Sequence, residues 1–148
     1  FGKKFYKTFF KKIENIMTDD GICLLHSIGS VDEPGPAQSW IQKRIFPGGI
    51  IPSLSEMVGP IEKTGLIVSD CETLIHHYDK TLKTWLDRFL ENRRRAKDLY
   101  DEQFVRMWEF YLASTSNAFK FRDLVVYQLQ LVKNFTAIPN NRRDYIYS

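Results

Sequence analysis

The chain has 148 residues, a formal charge of +3 and 43% apolar residues, so one domain with a sizeable core is possible. The mild charge does not point to nucleic acid. No apolar stretch is long enough to span a bilayer, and no signal peptide is visible.

Cys23 and Cys71 each sit in an apolar, strand-like run. That predicts reduced, buried thiols in a cytosolic protein rather than a disulfide framework. Neither has metal-ligand spacing, and no metal site is expected. The chain opens on Phe1 rather than Met, as expected of a trimmed piece or a fragment.

Residues Phe1 to Met17 read as a helix, with Phe5, Phe9, Ile13 and Ile16 at helical spacing and lysines opposite. Thr18-Asp19-Asp20-Gly21 is a turn. It leads into Ile22-Cys23-Leu24-Leu25-His26-Ser27-Ile28-Gly29, an apolar run that reads as a strand buried on both faces within a parallel sheet. Ligands in open α/β sheets bind outside the carboxyl ends of strands, where His26 and Ile28 lie. His26 can equally be a histidine hydrogen-bonded for structure.

A loop from Ser30 to Pro36 precedes a short helix, Gln38 to Ile45, carrying Trp40 and Ile41. In Ile45-Phe46-Pro47-Gly48-Gly49-Ile50-Ile51, Pro47 holds Phe46 extended and the glycine pair allows a sharp reversal. Ser53 and Glu56 form a capping box for a helix from Leu54 to Lys63, with Pro60 predicting a break or a second start. Leu66 to Leu74 is a second strand, nearer an edge. A long helix follows from Lys80 to Leu99, then another from Glu102 to Phe119. Asp123 to Lys133 is the last strand, whose partial alternation suits an edge or antiparallel position. Ala137 to Ser148 reads as a polar surface tail.

Four stretches occur in order: Leu24-Leu25-His26-Ser27-Ile28-Gly29; Ile45-Phe46-Pro47-Gly48-Gly49 with Pro52-Ser53; His77-Tyr78-Asp79-Lys80-Thr81-Leu82 with Trp85; and Tyr111-Leu112 with Phe119 and Arg122-Asp123. Together they resemble the carboxyl-terminal half of cyclopropane-fatty-acyl-phospholipid synthases and the related mycolic acid cyclopropane synthases. The resemblance implies an α/β fold, the carboxyl-terminal half of a class I Rossmann-like S-adenosylmethionine methyltransferase with its last strand antiparallel. It implies a catalytic-domain piece over residues 1–134 and a tail over 135–148.

The resemblance also implies methyl transfer from S-adenosylmethionine to the cis double bond of an unsaturated phospholipid acyl chain. The resulting carbocation loses a proton to bound bicarbonate and closes to a cyclopropane. Carried over by motif, the bicarbonate ligands are His26, Ile28 through its backbone N–H, and Tyr78. A buried anion beside an acyl chain needs several donors, because unpaired desolvated charge is costly. At the position where the family usually has a cysteine stands Thr115, whose hydroxyl can still hydrogen-bond to bicarbonate. The family's further ligand, a Glu, would precede Phe1. The glycine-rich donor turn has no counterpart here, so weak or no binding of S-adenosylmethionine by these residues is expected.

Trp40, Phe46, Gly48, Gly49 and Tyr111 are the candidate substrate-binding residues, and Phe46 is expected to line an apolar channel with Tyr111 and the helix from Lys80. On sequence alone Trp40, Phe46 and Tyr111 can also be ordinary core. Arg93-Arg94-Arg95 is a solvated helix end or a contact for anionic lipid head groups. The expected setting is cytoplasmic and peripheral to a membrane, without nucleic acid, with a homodimer possible. The rival readings are a methyltransferase acting on another lipid or small molecule, and a non-catalytic lipid-binding fragment.

Overall fold

The computed structural model describes residues 2–35, 39–138 and 142–147. Phe1, Pro36 and Gln38, and Pro139 to Asn141 with Ser148 in the expected tail, lie outside the described residues.

Helix α1 (Tyr6–Ile16) turns its apolar stripe inward: Phe10 is buried and Phe9, Ile13 and Met17 pack beside it. The Gly21 N–H bonds the Thr18 carbonyl at 3.1 Å, closing the turn into β1 (Ile22–Ser30). Helix α2 (Ser39–Arg44) is short. Helix α3 (Leu54–Glu62) starts at the expected capping box, with Glu56 Oε2 accepting from the Ser53 N–H at 3.0 Å. Pro60 does not break it. The helix ends two residues later, so one missing bond to the Glu56 carbonyl is tolerated.

Strand β2 (Ile67–Leu74) is followed by α4 (His77–Glu91) and α5 (Arg93–Leu99). The single long helix expected to Leu99 is therefore two. At Asn92 the backbone leaves helical geometry (φ −104°, ψ 13°), and its amide donates to the Arg88 carbonyl at 2.9 Å. Helix α6 (Glu102–Phe121) is capped by Asp101, which accepts from the Phe104 N–H at 2.6 Å. Strand β3 (Leu124–Val132) closes the sheet.

The sheet order is β1-β3-β2, with β3 antiparallel to both neighbours. Ile22 and Ile67 both pair with Val132, while Ser30 pairs with Leu124 and Leu74 with Val126. The register of β2 shifts between Val68 and Asp70; Ser69 at the shift donates to the Gln130 carbonyl and accepts from Gln130 Nε2.

Alternate β3 residues feed two cores. Val125, Tyr127, Leu129 and Leu131 join Phe10, Met57 and Ile61 on the α1–α3 side. Val126 joins Leu82, Tyr111, Leu112 and Phe119 on the α4–α6 side. The last strand is thus central as well as antiparallel, and β2 is at an edge as expected. Strand β1, expected to be buried on both faces in parallel pairing, pairs antiparallel with β3 and alternates, leaving Ile22, Leu24, His26 and Ile28 exposed. Neither cysteine is buried: Cys23 is half-buried and Cys71 exposed, and both are free. Burial still pushes both thiols above the usual range, helped at Cys71 by Asp70.

Part of the expected surface tail is docked on the sheet. Arg143 makes a two-pronged pair with Asp70 at 2.5 and 2.8 Å, and Gln130 Nε2 donates to the Tyr145 hydroxyl at 2.8 Å. No helix among the described residues is long and apolar enough to cross a membrane.

Candidate functional site

The carboxyl end of β1 is held from three sides. The Ser30 N–H bonds the Pro52 carbonyl at 2.9 Å, the Tyr127 hydroxyl donates to the Ser30 carbonyl at 3.1 Å, and the Val31 N–H bonds the Asp123 carbonyl at 2.9 Å. Beside this anchored end opens a cavity of about 530 Å³. Its walls come from β1 and the Asp32–Gly35 loop after it, Ile41 and Gln42 of α2, the Phe46–Ile51 loop, the start of α3 and one face of α6.

The α6 face explains the space. Tyr111, Ser114, Thr115, Ala118, Phe119 and Arg122 all line the cavity and recur at three- and four-residue spacing, one stripe of the helix. Its middle residues are small, so the stripe recedes between the two aromatic rings. Ser114 Oγ turns back to the Tyr111 carbonyl at 3.2 Å.

The loop supplies the opposite wall. Gly48 has φ +72° and follows Pro47, and the Gly49 N–H bonds the Phe46 carbonyl at 2.9 Å, the pattern of a type II turn. Gln42 Nε2 donates to the Gly49 carbonyl at 3.0 Å. This turn sets Phe46 edge-on to Tyr111, with ring centroids 6.0 Å apart. Burial, with Tyr78 nearby, raises the pKa of the Tyr111 phenol, so it stays neutral and able to donate.

Of the sequence-predicted residues, Ile28, Phe46, Gly49, Tyr111 and Thr115 share this cavity. Gly48 forms its turn without lining it. Trp40 is not among the lining residues and packs edge-on against Phe110 at 4.9 Å. No residue of α4 lines the cavity, so the expected wall from the helix beginning near Lys80 is replaced by α6.

His26 and Tyr78 form a second group on the adjoining sheet face. Their ring centroids are 6.4 Å apart, and Gln128 Nε2 lies within hydrogen-bond distance of His26 Nδ1 at 3.1 Å. Gln128 is the cross-strand partner of His26. Phe119 joins the two groups: Tyr78 stacks on it at 5.2 Å, and its ring lines the cavity. Ser116 Oγ donates to Asp79 at 2.6 Å, tying the Tyr78 turn of α4 to α6.

Sequence reasoning missed Ile50, Ile51, Ser114, Ala118 and Arg122 as lining residues. The apolar loop around Phe46 was a signal for the isoleucines; the helical repeat from Tyr111 was one for the rest. At the rim, burial opposes the charged form of Glu56, but hydrogen bonds from Lys3 and Ser53 outweigh it and hold the carboxyl below the usual range. No group of His, Cys, Asp and Glu among the described residues could hold a metal ion.

Comparisons place this geometry. The family described as mycolic acid cyclopropane synthetase matches residues 1–129. The cyclopropane-fatty-acyl-phospholipid synthase of Escherichia coli K12 is 35% identical over 128 residues, covering 86% of this chain and 33% of that protein. The tuberculostearic acid methyltransferase UfaA1 of Mycobacterium tuberculosis is 43% identical over 98 residues, covering 65% of this chain and 23% of that protein. The solved cyclopropane synthase MmaA2 of Mycobacterium tuberculosis superposes with a TM-score of 0.81 at 25% identity, covering 88% of this chain and 50% of that one. The mycolic acid cyclopropane synthase CmaA1, solved with SAH and CTAB, gives 0.80 at 28% identity over the same shares. The chain therefore spans about a third of the length of the Escherichia coli relative and half of each solved chain. By fold and by sequence, the chain belongs to the mycolic acid cyclopropane synthetase family.

Proposed function

We propose that this chain forms the acyl-binding part of an S-adenosylmethionine-dependent lipid methyltransferase. The substrate would be an unsaturated phospholipid and the product a cyclopropane fatty acyl chain. The observation that carries this reading is the cavity in which Phe46, Tyr111, Phe119, Ile28 and Ile50 present apolar surface beside an anchored strand end. Relatives named for cyclopropane synthesis and for methylation of fatty acids support the reaction class.

Among the described residues no Gly-x-Gly turn opens a helix, and the positive-φ Gly48 belongs to the Phe46 turn. These residues do not make a cradle for the methyl donor. What they would do is bind and orient the acyl chain, exclude water from it, and handle a proton. In this reading the Phe46–Tyr111 wall presses the chain against the small-residue stripe of α6, with the double bond towards Ile28. His26 and Tyr78, with the Thr115 hydroxyl and the Ile28 backbone, would hold a bicarbonate that takes the proton lost when the ring closes. Their fit to such an anion lies in donor chemistry and in the 6.4 Å ring separation. Gln128 would be a positioning residue, orienting the His26 ring.

Transfer of the same methyl group to another lipid is the second reading, supported by the relative named sphingolipid C9-methyltransferase 2 of Gibberella zeae, 26% identical over 147 residues. Incubating the parent enzyme with methyl-labelled S-adenosylmethionine and either dioleoyl phospholipid or sphingolipid vesicles separates the two. The proposal expects label in acyl chains that have gained one methylene and lost the double bond. Label taken up by the sphingolipid and not by the phospholipid supports the second reading, and label confined to head groups contradicts both.

A further inference from the structure

Charge on the outer face of α1 and the turn before it is one-sided. Lys4, Lys7, Thr8, Lys11, Lys12 and Asn15 are all exposed, and Phe10 and Ile13 face the core. Glu14, the one acid within the helix, is half-buried and paired with Lys11 at 2.7 Å. The exposed Asp19 and Asp20 lie beyond the other end. Lys4, Lys7 and Lys12 make no ion pair among the described residues. Phe5 is 46% exposed, with Lys4 Nζ 5.1 Å over its ring.

The position of this charge matters. Lys3 pairs with Glu56, which lines the cavity, so the start of the helix sits at the cavity rim. The other end feeds the start of β1, at the far end of the strand from Ser30. The lysines nearest the rim are therefore Lys4 and Lys7. In the Arg93–Lys97 run, Arg93 binds Glu102 and Glu109 at 2.5 and 2.7 Å and Lys97 binds Glu102 at 3.3 Å; Arg94 and Arg95 are exposed, but no residue of the run lines the cavity.

We propose that the amino-terminal turn of α1, with Lys4 and Lys7 beside Phe5, docks on an anionic phospholipid bilayer and sets the cavity rim against the membrane. Lysines near such a surface are drawn by its negative potential, while an exposed aromatic ring enters the head-group layer. The inference rests on the lipid-methyltransferase reading for its choice of a bilayer, but its test needs no turnover. It assigns the membrane contact to α1 rather than to the arginine run.

Flotation with phosphatidylcholine vesicles, with and without phosphatidylglycerol, tests it. Binding is expected only with phosphatidylglycerol and is expected to weaken with added salt. Each lysine at the surface contributes roughly a five-fold factor, so Lys4→Glu with Lys7→Glu should weaken binding by about 30-fold or more. Arg94→Glu with Arg95→Glu, an equal change in net charge, should weaken it by less than about three-fold. Equal losses in the two variants, unchanged binding in the first, or equal binding to neutral vesicles each overturn the proposal. If vesicle binding follows α1 while no lipid is ever methylated, the surface stands and the catalytic reading falls.

Discussion

The Gly29 Cα faces the flat of the Tyr127 ring so closely that a methyl group built there would sit 2.4 Å from two ring carbons. The ring cannot easily yield, because the Tyr127 hydroxyl donates to the Ser30 carbonyl at 3.1 Å. One glycine and one tyrosine thus fix where the end of β1 lies, and with it the floor of the cavity.

Gly29→Ala is expected to destabilise the fold by about 2 kcal/mol, the cost of overpacking a site with no room. Tyr127→Phe should cost about 1 kcal/mol through the lost hydrogen bond, with Ser30 left in place. Urea denaturation of both checks this. A Gly29→Ala variant as stable as wild type would show that the strand end moves freely.

Phe46 tests the wall. It is 54% exposed, so Phe46→Ala should lower stability by less than about 1 kcal/mol. Removing its face from an acyl chain should cost roughly 1.5 kcal/mol, or about ten-fold in kcat/KM for a monounsaturated phospholipid. In the parent enzyme, Phe46→Asp should abolish turnover of the acyl substrate while leaving donor binding largely intact. Unchanged kcat/KM in Phe46→Ala would make the ring ordinary packing.

The arginine–glutamate network gives a pH signature. Hydrogen bonds from Arg93, and then Lys97, outweigh burial and depress the Glu102 pKa to about 2. A carboxylate depressed in the folded state adds stability that is complete above its unfolded pKa and lost as pH falls through the folded value. The stability difference between wild type and Glu102→Gln should therefore be constant above about pH 5.5 and shrink steadily between about pH 4.5 and pH 2. Thermal melts across that range check it. A difference independent of pH would mean that the pair contributes by packing alone.

Much of the fold was legible because local rules agreed. The Ser53–Glu56 box and the Pro47-Gly48-Gly49 turn each satisfy a local hydrogen-bond need, and each formed as read; the stripe read as Phe5, Phe9, Ile13 and Ile16 is instead centred on Phe10, with Phe5 and Ile16 exposed. Strand order was not legible, because β3 enters the centre of the sheet through pairings distant in sequence. The partial alternation with Gln128 and Gln130 suited an edge or antiparallel strand; β3 is antiparallel but central, and His26, Ser69 and Tyr145 satisfy those amides from other parts of the chain. The break at Asn92 lacked a Gly or Pro to announce it. The apolar loop at Phe46 was legible as a cover over something, but the choice of α6 over α4 as its facing wall depends on helix packing. Trp40 had the composition of a pocket residue and turned out to pack on Phe110.

Where the acyl chain goes can be read without turnover. A phospholipid carrying a photoactivatable diazirine near the middle of one acyl chain, cross-linked to the protein and mapped by mass spectrometry, should label Phe46, Tyr111, Thr115 and Phe119. A cis-monounsaturated phospholipid should compete that label away. Label concentrated instead on a second, shallower pocket between α4 and α6, lined by Trp85, Phe89, Trp108 and Leu112, or insensitive to competitor, would contradict the assignment of the cavity as the acyl site.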